Sequence, residues 1–131
     1  MQAKYAFLMA VGGVALGAAG SSMMTSVLAQ NNAPYYQVAA INVVDKEGYE
    51  ASGVDKVREI FKANGGKLIG GGYNKAVAID SDVPASNRFL IWMFPNKAAS
   101  DKTWEETKSW AEKVKGKYTD RFRVFGVEGV Q

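Results

Sequence analysis

Hydrophobic and polar positions follow two rhythms along this chain. From Arg88 to Pro95 the residues run Arg-Phe-Leu-Ile-Trp-Met-Phe-Pro, too short for an ordinary helix and rich in aromatic and branched side chains, which predicts a strand. Pro95 ends it, because proline has no N–H to give to a ladder. The run does not alternate. Phe89, Ile91 and Met93 face one way, Leu90, Trp92 and Phe94 the other, and all are apolar. Both faces therefore need cover. Tyr35 to Val44 has the same character, with Asn42 as a polar side chain among apolar neighbours, and predicts another interior strand.

The second rhythm is helical. Asp45 is placed to cap a helix, with Glu47 in its first turn, where the helix dipole favours negative charge. Tyr49, Gly53, Val57, Ile60 and Phe61 then fall on one stripe, with Val54 at its margin, predicting a helix over Lys46 to Asn64. Ser52-Gly53 is its weak point, where it kinks or splits, and Asn64-Gly65-Gly66 stops it. Lys67 to Asp80 predicts a second strand region, in which Gly70-Gly71-Gly72 mark a bulge, a bend or a close backbone approach. Asp80 to Ser86 is a turn. Asn96 to Ser100 suggests a short helical turn, and Asp101 begins a second main helix running to about Lys115. Its stripe is Trp104, Thr107, Ala111 and Val114, extended by Tyr118, with Trp110 at the margin. Arg121 to Val127 is the last strand.

The resulting order is β-α-β-β-α-β, an α+β, ferredoxin-like fold: a four-stranded antiparallel sheet with two helices on one face. Two helices cover one face only. The apolar residues of the other face lead us to expect a homodimer, two sheets packed through that open face.

The N-terminal residues 1–29 carry a single charge, Lys4, ahead of an apolar run rich in small residues. Ser and Thr interrupt it near the end, and Val27-Leu28-Ala29 has the spacing a signal peptidase reads. We expect a secretory signal peptide cut before Gln30, a short leader over 30–34, a domain over 35–131, and a periplasmic or secreted protein. The alternative is a retained anchor, since the uncharged window Tyr5 to Ala29 is long enough to span a bilayer. Membrane attachment is expected only if that segment is kept.

Composition narrows the chemistry. The 131 residues suit one domain with one core, and 47% apolar with 22% charged residues is ordinary globular usage. The charge of +3 is scattered among acidic neighbours rather than clustered, so no nucleic-acid partner is expected. There is no Cys and no His. That excludes disulfides, thiolate or imidazole metal sites, cysteine nucleophiles and the usual base near neutral pH. Asp80 and Asp82 fall well short of the six to eight oxygens that calcium takes. Gly70-Gly71-Gly72 lacks phosphate-loop spacing. We expect no cofactor and no metal, and assign no catalytic residue.

One set of residues carries a family resemblance. Tyr35-Tyr36 opens the first strand, Asp45 to Tyr49 the first helix, and Asn64-Gly65-Gly66-Lys67 is followed by Gly71-Gly72. Arg88 to Pro95 leads into Asn96-Lys97-Ala98-Ala99, and Phe125 to Val130 closes the chain. In this order and spacing the domain resembles the domain of unknown function 1330 (DUF 1330) family, within the dimeric α+β barrel superfamily. The resemblance implies a homodimer with a barrel formed across two sheets, and no particular activity. This chain departs from the pattern after Asn96, where a helix with Trp104 and Trp110 stands in place of a shorter, Tyr-containing one.

Related barrels include cofactor-free monooxygenases that set Asn, Trp and Arg near an aromatic substrate. By residue type the pocket candidates here are Asn42, Tyr73, Arg88 and Trp92. The competing reading makes Trp92 core, pairs Arg88 with Asp80 or Asp82, and has Asn42 satisfy a neighbouring backbone group. Trp104 and Trp110 are read as helix packing, or as a stacking platform for an aromatic ligand. The functional expectation is an exported homodimer of unknown activity that binds a small apolar or aromatic ligand. The alternatives are a cofactor-free oxygenase or isomerase using the same pocket, and a membrane-attached structural or interaction module.

Overall fold

The computed structural model describes residues 33–130. Its sheet holds four strands: β1 (Tyr35–Val43), β2 (Lys67–Tyr73), β3 (Arg88–Phe94) and β4 (Thr119–Glu128). They lie in the order β2-β3-β1-β4, and every pairing is antiparallel. The two runs that do not alternate, β1 and β3, are the two interior strands. Three helices pack on one face: α1 (Lys46–Ala51), α2 (Val54–Ala63) and α3 (Lys97–Val114). This is the α+β architecture expected from the element order.

The registers sort the side chains. Gln37 lies opposite Trp92, Ala39 opposite Leu90 and Ile41 opposite Arg88, so these residues share the face under the helices. Phe122 and Val124 of β4 join them. Tyr36, Val38 and Ala40, opposite Met93, Ile91 and Phe89, lie on the open face with Phe125 and Val127. Under the helices the core has two centres. Ile41, Val43, Tyr49, Val54 and Val114 form one. The other is aromatic, with the Phe61 ring 4.8 Å from Trp92 and 5.7 Å from Phe94. Fully burying such side chains stabilises by about 1.5–3 kcal/mol each.

Local chemistry accounts for the element ends. The Asp45 side chain accepts from Gly48 N–H at 2.9 Å and starts α1. Gly53, at φ 110°, stands between α1 and α2, so the helix splits at the expected weak point. The split re-phases the stripe, and Val54, placed at its margin by sequence, becomes the most buried residue of α2. Asn96 caps the next helix by accepting from Ala99 N–H at 2.8 Å. Consequently α3 is one helix from Lys97, not a short turn followed by a helix from Asp101. Its buried face includes Thr103 and Thr107, whose hydroxyls donate to carbonyls one turn back at 2.8 Å and so tolerate burial.

Two strand limits also differ from expectation. β4 begins at Thr119 rather than Arg121. β2 stops at Tyr73 rather than reaching Asp80, because Asn74 turns the chain with φ 57°. The loop that follows leaves Val77 and Ile79 exposed, Ile79 at 98%. Asn87 closes this loop onto the sheet. Its amide accepts from Val43 N–H at 2.8 Å and donates to Val43 O at 2.7 Å, extending the ladder with a side chain. Within β2 the glycines mark a bulge, as their run predicts. At Gly71, with φ 101°, a Cβ would sit 1.8 Å from Phe89 O.

Gly71→Ala is therefore expected to cost at least about 3 kcal/mol in urea unfolding, through clash and backbone strain together. Gly53→Ala, whose Cβ would meet only the Trp110 ring at 4.0 Å, is expected to cost about 1–2 kcal/mol from its positive φ alone.

Candidate functional site

Between the sheet and the helices lies a cavity of about 60 Å³. The inner faces of β1, β3 and β4 form its floor, with Gln37, Ile41, Arg88, Leu90, Trp92 and Val124. The helices supply Tyr49, Phe61, Trp104 and Trp110 as its roof. All three tryptophans of the chain thus reach one small space. Trp110 is held firmly: its indole N–H donates to Ser52 Oγ at 2.9 Å, and its ring meets Tyr49 edge-on at 5.8 Å and Phe122 at 6.0 Å. Trp104 and Trp110 are both half-buried, but Trp104 makes no side-chain hydrogen bond among the described residues.

Arg88 sets the electrostatics. It is 6% exposed, at the start of an interior strand. Its guanidinium lies 4.5 Å from the Tyr73 ring centre and 5.5 Å from that of Tyr49. Such contacts return part of the hydration energy lost on burial. The expected pairing with Asp80 or Asp82 is not made. Both acids lie in the exposed loop, and no ion pair among the described residues includes Arg88. Its Nε is buried without a hydrogen-bond partner among the described residues.

The other three candidates take different places. Trp92 lines the cavity beside Phe61. Tyr73 lies behind Arg88, its ring also 4.6 Å from Lys46 Nζ, and its hydroxyl donates to the Glu50 carboxylate. Asn42 does not reach the cavity, because its position in β1 is of opposite parity to Gln37, Ala39 and Ile41. It donates to Asp120 Oδ1 at 2.9 Å and accepts from Asn87 N–H at 3.2 Å, satisfying a neighbouring backbone group. Gln37, Tyr49 and Phe61 were not singled out by sequence as pocket residues. Gln37 was findable: a polar side chain on the helix-facing parity of an interior strand needs a partner. It donates to Ser100 O at 3.1 Å and Ser100 Oγ at 2.9 Å.

Burial pushes the Tyr49 hydroxyl above its ordinary value of 10.0, with Arg88 beside it offsetting part of the shift. Tyr73 is raised further, first by burial and then by its hydrogen bond to Glu50. Among the described residues no group of three or more acidic side chains could hold a metal ion.

No protein-family model and no curated protein sequence matches the chain. Solved structures do. RPA0582, a protein of unknown function from Rhodopseudomonas palustris, is similar at TM-score 0.57 and 17% identity, over 84% of this chain and 93% of that one. Its methylated form is similar at 0.54 and 15%, over 92% and 96%. A nipsnap family protein of unknown function from Agrobacterium tumefaciens is similar at TM-score 0.48 and 14%, over 76% and 91%. At these identities the RPA0582 structures establish the fold, a small α+β domain with helices on one face of an antiparallel sheet.

Alkaline titration should expose the tyrosine environments. Raised folded values mean that the neutral hydroxyls stabilise the fold fully below the unfolded value near pH 10, a contribution lost as pH rises through the folded values. Absorbance at 295 nm is expected to show that Tyr49 and Tyr73 ionise only above pH 10, an absorbance step lost in Tyr49→Phe and Tyr73→Phe, with urea stability falling above pH 10.

Proposed function

We propose that this chain is an exported homodimeric α+β barrel domain that binds a small apolar ligand between its sheet and its helices. The observation that carries the binding reading is the cavity, walled by three tryptophans, Tyr49 and Phe61 around the single buried guanidinium of Arg88. Sites of this make-up, mostly apolar with a few placed polar groups, are where small ligands bind. Size limits the occupant. At about 60 Å³ the space is less than half of the ~150 Å³ that admits benzene in an engineered cavity. A compact aliphatic molecule fits as the side chains stand. An aromatic one enters by displacing Trp104, the less firmly held of the two helix tryptophans.

The dimer reading rests on the open face. Val38, Phe89, Ile91, Met93, Phe125 and Val127 share it, and Phe125 and Val127 are 55% and 48% exposed. A second sheet packed on it would bury this apolar surface from water. The DUF 1330 resemblance belongs to the same proposal, supported by the element order and residue set. Export rests on the pattern of residues 1–29, which lie outside the described residues. Among the described residues no helix is long and apolar enough to cross a membrane. The cofactor-free oxygenase or isomerase has one observation in its favour, the buried Arg88 at the edge of the same space, whose Nε has no hydrogen-bond partner among the described residues.

Three measurements test these readings. Sedimentation of the chain from Gln30 should give a dimer at micromolar concentration and a monomer for Ile91→Asp with Phe125→Asp; a wild-type monomer overturns the dimer. Mass spectrometry of the protein from its native host should find an N-terminus at Gln30, and an intact residue 1–29 segment overturns cleavage. Tryptophan fluorescence should change saturably with short alcohols or acids, and a flat response across both series overturns ligand binding.

A further inference from the structure

We propose that the ligand of this cavity is a small aliphatic monocarboxylic acid whose carboxylate is received by Arg88. This rests on the ligand-binding reading above and names the ligand's class. A guanidinium buried to 6% exposure normally has a carboxylate partner, because arginine is almost never fully buried unpaired. The acids nearby are otherwise engaged or remote. Asp55 pairs with Arg58 at 2.8 Å, and the Glu50 carboxylate takes the Tyr73 hydroxyl. The rings of Tyr73 and Tyr49 lie against the guanidinium and the Tyr49 hydroxyl is an acceptor for it, but neither tyrosine brings a negative charge. The Nε–H has no partner among the described residues, on a residue that lines the cavity.

An anion in the cavity would complete the arrangement. The Nε–H and a neighbouring terminal N–H form the fork that a carboxylate accepts with both oxygens. One cation without a carboxylate partner among the described residues calls for one negative charge; Arg58, the other arginine lining the space, is paired with Asp55. A phosphate dianion would leave a charge unpaired. The remaining wall is Ile41, Leu90, Val124 and tryptophan, surface that suits an alkyl chain. A chain of a few carbons, no smaller than benzene once its carboxylate is counted, enters with the same displacement of Trp104.

The test is a fluorescence titration of the full chain with butyrate and with 1-butanol, which share an alkyl body and differ in the carboxylate. Butyrate is expected to bind at least tenfold more tightly. Arg88→Met is expected to bring the two ligands within about threefold of each other, and Arg88→Lys to keep a reduced preference for the acid. If Arg88→Met fails to fold, the wild-type comparison decides alone. Equal binding of butanol and butyrate to the wild type overturns the carboxylate proposal and leaves the ligand-binding reading standing. So does butyrate affinity unchanged in a folded Arg88→Met. Binding of neither ligand overturns both.

Discussion

β1 and β3 lie side by side in the middle of the sheet, with Ile41 facing Arg88, Ala39 facing Leu90 and Gln37 facing Trp92. This register is the constraint on which the rest of the domain depends. It gathers Gln37, Arg88 and Trp92 onto one face and sends Val38, Phe89 and Ile91 to the other. A slip by one residue would exchange the two sets. The β2 bulge between Leu68 and Gly70 and the Asn87 amide pinned to Val43 hold the neighbouring elements in step with it. The helices then close over the face that carries Arg88, with Tyr49, Val54 and Val114 filling one end and Phe61 the other.

The cavity is a consequence of that closure. Flat aromatic rings from α1, α2 and α3 meet a strand whose inward positions include an arginine, and such shapes do not fill space completely. Trp110 is locked by Ser52, Tyr49 and Phe122. Trp104, equally half-buried, has no such hydrogen bond among the described residues, so the volume on its side is the part a ligand would enlarge. Burying Arg88 without a carboxylate is the largest electrostatic burden among the described residues, and the tyrosine rings beside it relieve part of it. A fold that needed only stability would place an apolar residue opposite Ile41.

Much of the architecture was legible because local chemistry announces it. Asp45 and Asn96 are caps by residue type, Gly53 breaks a helix because it alone tolerates φ 110°, and unbroken apolar runs belong in interior strands. The errors fall where a local signal was ambiguous. The start of α3 is ambiguous in the sequence because Asn96 and Asp101 are both credible caps. The end of β2 is ambiguous too, because Lys75 to Asp80 retains apolar residues that look strand-like. Of the candidate site residues, Arg88 and Trp92 line the cavity, Tyr73 backs it, and Asn42 faces the other way. Residue type alone does not report parity relative to a neighbouring strand.

Sequence by itself determined the order of elements, the interior places of β1 and β3, and an apolar sheet face with no helix to cover it. These follow from spacing and residue type, which act within a few residues along the chain. Only the tertiary structure decided that Arg88 would be buried between Tyr49 and Tyr73 rather than paired with Asp80 or Asp82. Only there do three tryptophans from β3 and α3 converge on one cavity. Those outcomes depend on contacts between residues distant in sequence, set by register and by the angle at which helices cross the sheet.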